Sequence, residues 1–355
     1  MRRRSCAGRA QVRLMAHVHP GLVRGAAIAM CAALAGVCAP GAAFAQTASP
    51  AATAAPDDAS GGYVRAQGLF HEHLYREAVA ALDAFIAAHP RDARAFILRG
   101  DARASLGDNA GALKDYNVGI GIEPEFAYAY VTRCETRLQM GDEKGALADC
   151  DAAVRLDPTD PLAFEDRADV HFENGAYQRA LDDYDKAVEL GRSSAYLFAA
   201  RCDAERLIGK RAAAKTDCDK ALALDPKSRR GLWARGRLAL AESRYTDGLG
   251  DLNAYIAQSP DASTTAYYFR GLAYNRLNSY RLALEDLGTY VGRQPSDPDG
   301  YRERAIARFG TGDKTGALAD LDVALRAYRK DGNNEAAERV AAMVKDIGAG
   351  KAPTP

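Results

Sequence analysis

Proline recurs in this chain at intervals of 34 residues. Pro90, Pro124, Pro158, Pro226 and Pro260 lie on one comb, Arg192 fills its single gap, and Pro295 follows one residue late. A fixed period of this length describes an array of one supersecondary unit stacked on its neighbours, not a single compact core. An array of that kind is a binding scaffold by class; the period does not name what is bound.

The rest of each unit keeps step with the proline. Twelve residues before it stands a small residue: Ala78, Ala112, Ala146, Ala180, Ala214, Gly248, Ala283 and Ala317. Twenty-eight residues before it stands an apolar one, usually aromatic: Phe96, Tyr130, Phe164, Phe198, Leu232, Tyr267 and Tyr301. Between them a turn recurs at Gly107, Gly141, Gly175, Gly209, Ser243, Asn278 and Gly312. Apolar residues on both sides of the turn follow helical three-and-four spacing. Each unit therefore reads helix, short turn, helix, with the proline closing the second helix.

This pattern resembles the tetratricopeptide repeat, over eight units from about residue 59 to 329. The family's first-helix Trp is replaced here by Phe, Tyr or Leu, its first-helix Leu by Arg, and its first-helix Tyr survives only as Tyr274. Units four and eight carry Arg192 and Arg329 in place of proline. The resemblance implies an all-α fold, an α-solenoid coiled as a right-handed superhelix of helix-turn-helix units.

The two ends read differently. The first 45 residues carry six arginines and no acid, leaving 41 basic against 47 acidic residues beyond them. That mild acidity argues against a nucleic-acid partner, which calls for a basic stripe. A basic stretch from Arg2 to Arg24, an apolar run from Ala26 to Val37 and Ala43-Phe44-Ala45 form an export signal, with cleavage after Ala45. The basic region is long, and Met15 as the true start gives a normal length. The alternatives are an uncleaved membrane anchor and, less well supported because Val37 precedes it, a lipid on Cys38. Nothing else is long and apolar enough to cross a membrane. Residues 46–62 are rich in Ala, Pro, Thr, Ser and Asp and read as a disordered tether. Residues 63–329 hold the repeats. Within 330–348, Asn333 or Asn334 caps a helix whose one face holds Ala336, Val340, Met343, Val344 and Ile347, the capping helix an array needs; 349–355 is a tail.

An arginine and an aspartate stand sixteen residues apart in seven units: Arg99 and Asp115, Arg133 and Asp149, Arg167 and Asp183, Arg201 and Asp217, Arg235 and Asp251, Arg270 and Asp286, Arg304 and Asp320. In an antiparallel hairpin this spacing sets the two side chains at one height on facing helices. A guanidinium matches a carboxylate bidentately, which accounts for Arg rather than Lys throughout. We read the pairs as clips within each hairpin rather than ligand contacts, because a contact surface has no reason to keep both partners at one spacing.

Beyond the leader, which takes Cys6, Cys31 and Cys38, four cysteines remain: Cys134 with Cys150 and Cys202 with Cys218, again sixteen apart. In the repeat these positions face each other, and an exported protein meets conditions in which disulfides persist. Two hairpin disulfides are one reading. Four free thiols serving as small core residues are the other, since ordinary helix packing is wider than a disulfide spans.

No chemistry-bearing motif rises above this pattern. His71 and His73 are two apart, facing different sides of a helix, and read as a solvated pair. Two cysteines per hairpin with no paired histidine make no zinc set. No Gly-rich phosphate loop, His-Glu-x-x-His or Gly-x-Ser-x-Gly occurs, and repeats, cap and tether use the chain beyond the leader. We expect no enzyme, cofactor or metal.

In the family the first helices line a concave face that holds ligand peptides. Carrying that face over gives Asp101, Glu135, Glu165, Asp169 and Asp203 toward the N-terminal half, with Tyr128, Leu138, Phe172 and Tyr196 between them. The C-terminal half offers Arg206, Arg230, Arg237, Arg276 and Arg302, with Trp233, Tyr268 and Phe309. The family's Lys/Asn carboxylate clamp has no counterpart, since Tyr63, Gln67, Ile97, Asp101, Val131 and Glu135 occupy its positions. The expectation is an exported, periplasmic scaffold that binds a partner protein or peptide in this groove. The alternative is an array that self-associates as a building block of an envelope complex, held at the membrane only through an uncleaved signal.

Overall fold

The computed structural model describes residues 61–261 and 264–353. The leader, its cleavage site and all but the last two tether residues lie outside this range. The chain divides into two compact units, one ending at Pro158 and the other beginning at Thr159. The first holds α1 (Gly61–His71), α2 (Tyr75–Ala88), α3 (Ala93–Ser105), α4 (Asn109–Ile122), α5 (Ala127–Gln139) and α6 (Glu143–Leu156). The second holds α7 (Pro161–Glu173), α8 (Tyr177–Glu189), α9 (Ala195–Leu207), α10 (Arg211–Leu224), α11 (Arg229–Ala241) and α12 (Tyr245–Gln258). It continues with α13 (Thr264–Arg276), α14 (Tyr280–Arg293), α15 (Pro298–Gly310), α16 (Lys314–Lys330) and α17 (Asn334–Gly348). No strand occurs among the described residues. Gly61 and Gly62, read from sequence as tether, open α1 instead.

Each hairpin turn closes in one way. The helix ends, a residue enters the left-handed region, and the one after stands at the N-cap position of the second helix, where an aspartate caps it in three hairpins. Gly107 has φ 82°, and Asp108 donates its amide to the Arg103 carbonyl at 2.9 Å, satisfying a carbonyl the helix end would leave open. The Asp108 carboxylate then accepts from the Gly111 amide at 2.9 Å, so one residue stops a helix and starts the next. Asp142 and Asp313 repeat the arrangement. Ser243 and Asn278 take the positive φ without glycine, as does His73. His73 is therefore not on a helix with His71: it is the turn residue of the first hairpin, and its Nδ1 lies 2.7 Å from the Tyr75 hydroxyl. The sequence reading missed it because the other hairpins carry Gly, Ser or Asn at this turn position and His73 breaks that pattern.

The prolines act through the residue before them. His89, Glu123, Asp157, Asp225, Ser259 and Gln294 each hold ψ between 66 and 99°, outside the helical range. A following proline clashes with helical backbone there, so the second helix stops. Where the comb has Arg192, Leu190 stays near helical at ψ 9° and Gly191 ends α8 with φ 89°. At the other exception, Arg329, α16 runs on for 17 residues.

Within hairpins the arginine–aspartate pairs are bidentate. Arg99 Nε and Nη2 donate to Asp115 at 2.9 and 2.6 Å, and the same fork recurs in the other six. Two further contacts were not read from sequence. The aromatic residue three places earlier lies beneath the guanidinium, as Phe96 under Arg99 at 5.4 Å and Tyr301 under Arg304 at 5.3 Å. The remaining nitrogen reaches back one repeat: Arg99 to Asp83 at 2.7 Å, Arg133 to Asn117 at 2.6 Å, Arg201 to Asp185 at 3.0 Å and Arg270 to Asn253 at 2.8 Å. One side chain thus ties its own hairpin and the preceding one.

Beside each clip the two helices touch through a matched pair. Gly100 meets Tyr116, and a Cβ there would stand 2.5 Å from the ring; Gly271 meets Leu287, where it would stand 2.7 Å away. Cys134 meets Cys150 and Cys202 meets Cys218, all four fully buried. At the C-terminus Asn333 caps α17 through the Ala336 amide at 3.2 Å, and Ala336, Val340, Met343 and Ile347 are buried on its inner face. Its outer face carries the exposed Glu335–Arg339 pair, so the helix ends the stack with a polar surface.

Asp115 to Ala leaves Arg99 and Arg103 facing a buried gap, and we expect it to cost about 3–5 kcal/mol in thermal or denaturant unfolding. Gly100 to Ala drives a methyl into the Tyr116 ring, an overpacking with an expected cost of about 1–3 kcal/mol in the same assay.

Candidate functional site

The first helices of the hairpins carry the side chains expected to face a ligand. In the first unit, Asp101 on α3 accepts hydrogen bonds from the Tyr116 hydroxyl at 2.8 Å and the Tyr128 hydroxyl at 3.0 Å. Burial raises its carboxyl to about 7 despite these donors, and the charge of Glu135 adds to the rise. Glu135 and Leu138 lie half-buried on α5.

In the second unit the acids and bases that sequence had assigned to opposite ends of a groove meet one another. Asp169 on α7 repeats the pattern of Asp101, accepting from Tyr184 at 2.5 Å and Tyr196 at 2.6 Å. Arg230 on α11 donates to the Tyr196 hydroxyl at 2.5 Å, stacks on that ring at 4.3 Å and comes within 4.0 Å of Asp169. Asp203 on α9 accepts from Arg206 at 3.0 Å and lies 3.9 Å from Arg237. Burial alone would raise the Asp203 carboxyl, but Arg206, Arg237 and Arg230 together hold it below the usual value. Further on, Glu303 gathers Arg276 at 3.5 Å, Arg302 at 3.3 Å and the Asn275 amide at 3.2 Å.

Three assigned residues are buried. Glu165 is fully enclosed and accepts from Arg192 Nε at 2.6 Å, so the residue that replaces proline in the comb neutralises it. Asp203 and Arg237 are buried as well. What remains accessible is a half-buried strip of rings, with Arg230 beside it. Phe172 packs edge-on to Tyr177 at 5.3 Å, Trp233 lies 5.1 Å from Tyr255 and 5.5 Å from Phe269, and Arg237 sits 5.2 Å from both the Trp233 and Phe269 rings. Tyr268 closes the strip against Phe269 and Tyr290, and Phe309 packs with the C-terminal core. Phe269 was missed in the sequence reading, although it neighbours Tyr268.

The cysteine pairs are bonded in the structure, Cys134 to Cys150 and Cys202 to Cys218, with Cα atoms 5.6 and 5.4 Å apart. No group of three or more His, Cys, Asp or Glu arranged to hold a metal occurs among the described residues.

One ladder rung carries an odd charge. The position four residues after each ladder arginine is Arg103, Arg137, His171 or Arg308 in four units, each a second base beside the rung's aspartate. After Arg201 it is Glu205, buried, with Oε2 lacking a hydrogen-bond partner. Burial raises its carboxyl to about 7, and Asp217 and Asp185 add to the rise against Arg201 and Lys210.

The tetratricopeptide-repeat family model matches residues 63–125, 135–195, 203–263 and 266–341. The chain is a tetratricopeptide-repeat protein. Its fold is the all-α solenoid of that family, which supports protein–protein interaction scaffolds generally and is generally non-catalytic. None of the curated proteins matches the sequence. Among solved structures, the Cut9–Hcn1 hetero-tetramer of the APC/C is 15% identical, with TM-score 0.62 over 79% of this chain; the match spans 56% of that chain. A tetratricopeptide repeat protein from Parabacteroides merdae is 18% identical, with TM-score 0.52 over 70% of this chain and 99% of that one.

The raised Glu205 value has a defined sign. The folded chain holds the proton more tightly than the unfolded one, so the stabilisation is complete below the ordinary value of 4.5 and is lost as pH rises through about 7. Glu205 to Gln mimics the protonated form. Its unfolding midpoint should match the parent's below pH 4.5 and exceed it increasingly up to neutral pH, levelling off above; a constant difference across that range rejects the assignment.

Proposed function

We propose that this chain is an exported, periplasmic scaffold that binds a partner protein or peptide along its first-helix groove in an envelope assembly. The observation that carries the reading is the half-buried strip of Phe172, Trp233 and Phe269, with half-buried Arg230 near the first ring and buried Arg237 against the other two. Arginine and tryptophan dominate binding energy at interfaces because they combine a large desolvated area with directed donors. The ladder arginines are each spent on an aspartate of their own hairpin, whereas Phe172, Trp233 and Phe269 keep part of their surface exposed beside their packed neighbours. Export is supported by the signal pattern before Gln46 and by two cysteine pairs placed at bonding distance, an arrangement suited to an oxidising compartment.

A photoreactive amino acid in place of Trp233, activated in intact envelopes and read by mass spectrometry, tests the reading. One dominant foreign protein supports it. Crosslinks confined to other copies of this chain point to a self-associating array and remove the groove. The intact mass of the exported chain without reduction, four mass units below the four-thiol form, tests the disulfides; reducing one should cost roughly 3 kcal/mol for a loop of this length.

A further inference from the structure

We propose that Asp101, Tyr116 and Tyr128 form a seat for the guanidinium of an arginine carried by the bound polypeptide. The proposal rests on the groove reading and specifies one contact of its ligand. It starts from a trio that the chain contains twice. Asp101 accepts from Tyr116, 15 residues on, and from Tyr128, 27 residues on; Asp169 accepts from Tyr184 and Tyr196 at the same two spacings. In the second trio an arginine is already seated. Arg230 donates to the Tyr196 hydroxyl at 2.5 Å, its guanidinium lies 4.3 Å from the centre of that ring, and it comes within 4.0 Å of Asp169. The chain shows with its own side chain what an aspartate and two tyrosines in this arrangement can hold.

The first trio has no such occupant. Arg230 stands 61 residues after Asp169, and the residue 61 after Asp101 is Leu162. The Asp101 carboxylate accepts from the two tyrosine hydroxyls, and no arginine, lysine or histidine reaches it among the described residues. The titratable groups that interact with it are Tyr116 on α4, Tyr128 and Glu135 on α5 and Tyr63 on α1. None is a base, and Arg94, exposed on α3, acts on Tyr63 instead. Asp101 and Tyr128 are only half-buried, so a side chain from outside can reach them. Ala104 stands where the second trio has Phe172, which borders Arg230 at 6.0 Å, so one wall of the first seat is smaller.

A guanidinium suits this seat better than an ammonium. It is planar and weakly hydrated, so it can lie on the Tyr128 face while its edge donates to the carboxylate and the hydroxyl. The Tyr196 hydroxyl donates to Asp169 while accepting from Arg230; the Tyr128 hydroxyl donates to Asp101 at 3.0 Å and keeps a lone pair for the same use. The partly buried Asp101 carboxylate, held until then by neutral donors, gains charge-assisted bonds. An acidic side chain arriving here meets like charge from Asp101 and Glu135.

The test uses a fluorescein-labelled dodecapeptide of alternating Leu and Ser with one central arginine, and the same peptide with lysine, citrulline or glutamate in its place. Citrulline keeps the shape of arginine and loses the charge. Anisotropy reports binding to the full chain. We expect the arginine peptide to bind at least roughly tenfold more tightly than the citrulline peptide, a difference of about 1.4 kcal/mol, with lysine between them and glutamate weakest. The preference should fade as pH drops through about 7, where Asp101 takes a proton. Asp101→Asn should erase it and Tyr128→Phe should reduce it, with cooperative melting retained. Glu335→Gln, which removes one acid from the exposed face of α17, should leave it unchanged. The citrulline and pH comparisons need no variant and decide the matter even where a substitution unfolds the chain. Equal binding of the arginine and citrulline peptides, lysine binding as tightly as arginine, no binding of any peptide, or a folded Asp101→Asn chain that keeps the preference overturns the proposal. The Trp233 crosslink separates this failure from that of the groove itself: a foreign protein captured there, with no arginine preference in the peptides, overturns the seat and leaves the groove standing.

Discussion

The structure depends on one side chain per repeat holding three partners at once. Each ladder arginine forks onto the aspartate of its own hairpin, and most rest on an aromatic ring three residues back. Four of them also reach the second helix of the preceding hairpin at 2.6 to 3.0 Å. A repeat protein has no single core to fix how far one unit slides past the next; its stability is a sum of units and nearest-neighbour contacts. A short polar fork is more selective for register than apolar packing, because a shift of one residue strands a buried charge. The rung at Leu232 and Arg235 lacks the ring, and its reach to Asp219 lengthens to 3.6 Å, consistent with the ring helping to aim the guanidinium.

Space beside the ladder is filled by complementary size rather than one residue type. Gly or Ala faces Tyr or Leu, and cysteine faces cysteine. In the first four clipped hairpins the two solutions alternate: Gly100 with Tyr116, Cys134 with Cys150, Ala168 with Tyr184, Cys202 with Cys218. The tyrosines do more than fill, since Tyr116 and Tyr184 carry their hydroxyls to Asp101 and Asp169 on the first helices. The residue that sets helix spacing thereby also supplies a donor to a first-helix acid, and at Asp101 burial outweighs the two hydroxyl donors and raises the carboxyl to about 7.

Periodicity made the hairpins, the ladder and the end cap legible, because each is a local relation repeated at one spacing. Contacts whose spacing is not kept were not legible. His73 was missed because its turn conformation favours glycine or asparagine, and composition gave no hint of it. The link from Arg99 to Asp83 joins adjacent repeats and is itself sixteen residues long, so it hid behind the stronger pair. The groove was read least well. Assigning residues to a face one by one gives a sign for each position, but not the pairing between positions 27 or 34 residues apart. Arg192 with Glu165 and Arg230 with Tyr196 are such pairs. A face that looked acidic at one end and basic at the other is in the second unit largely paired.

That pairing changes what the face can recognise. Where every charge has a partner of opposite sign, a ligand must displace an existing contact to make a new one, and little is gained. Glu205 is of another kind. Its carboxylate is buried with Oε2 lacking a hydrogen-bond partner, and burial raises its value to about 7, with Asp217 and Asp185 adding to the rise. A carboxylate in that setting is relieved by taking up a proton, so its weight falls on how the stability of the scaffold follows pH and not on what the first helices bind.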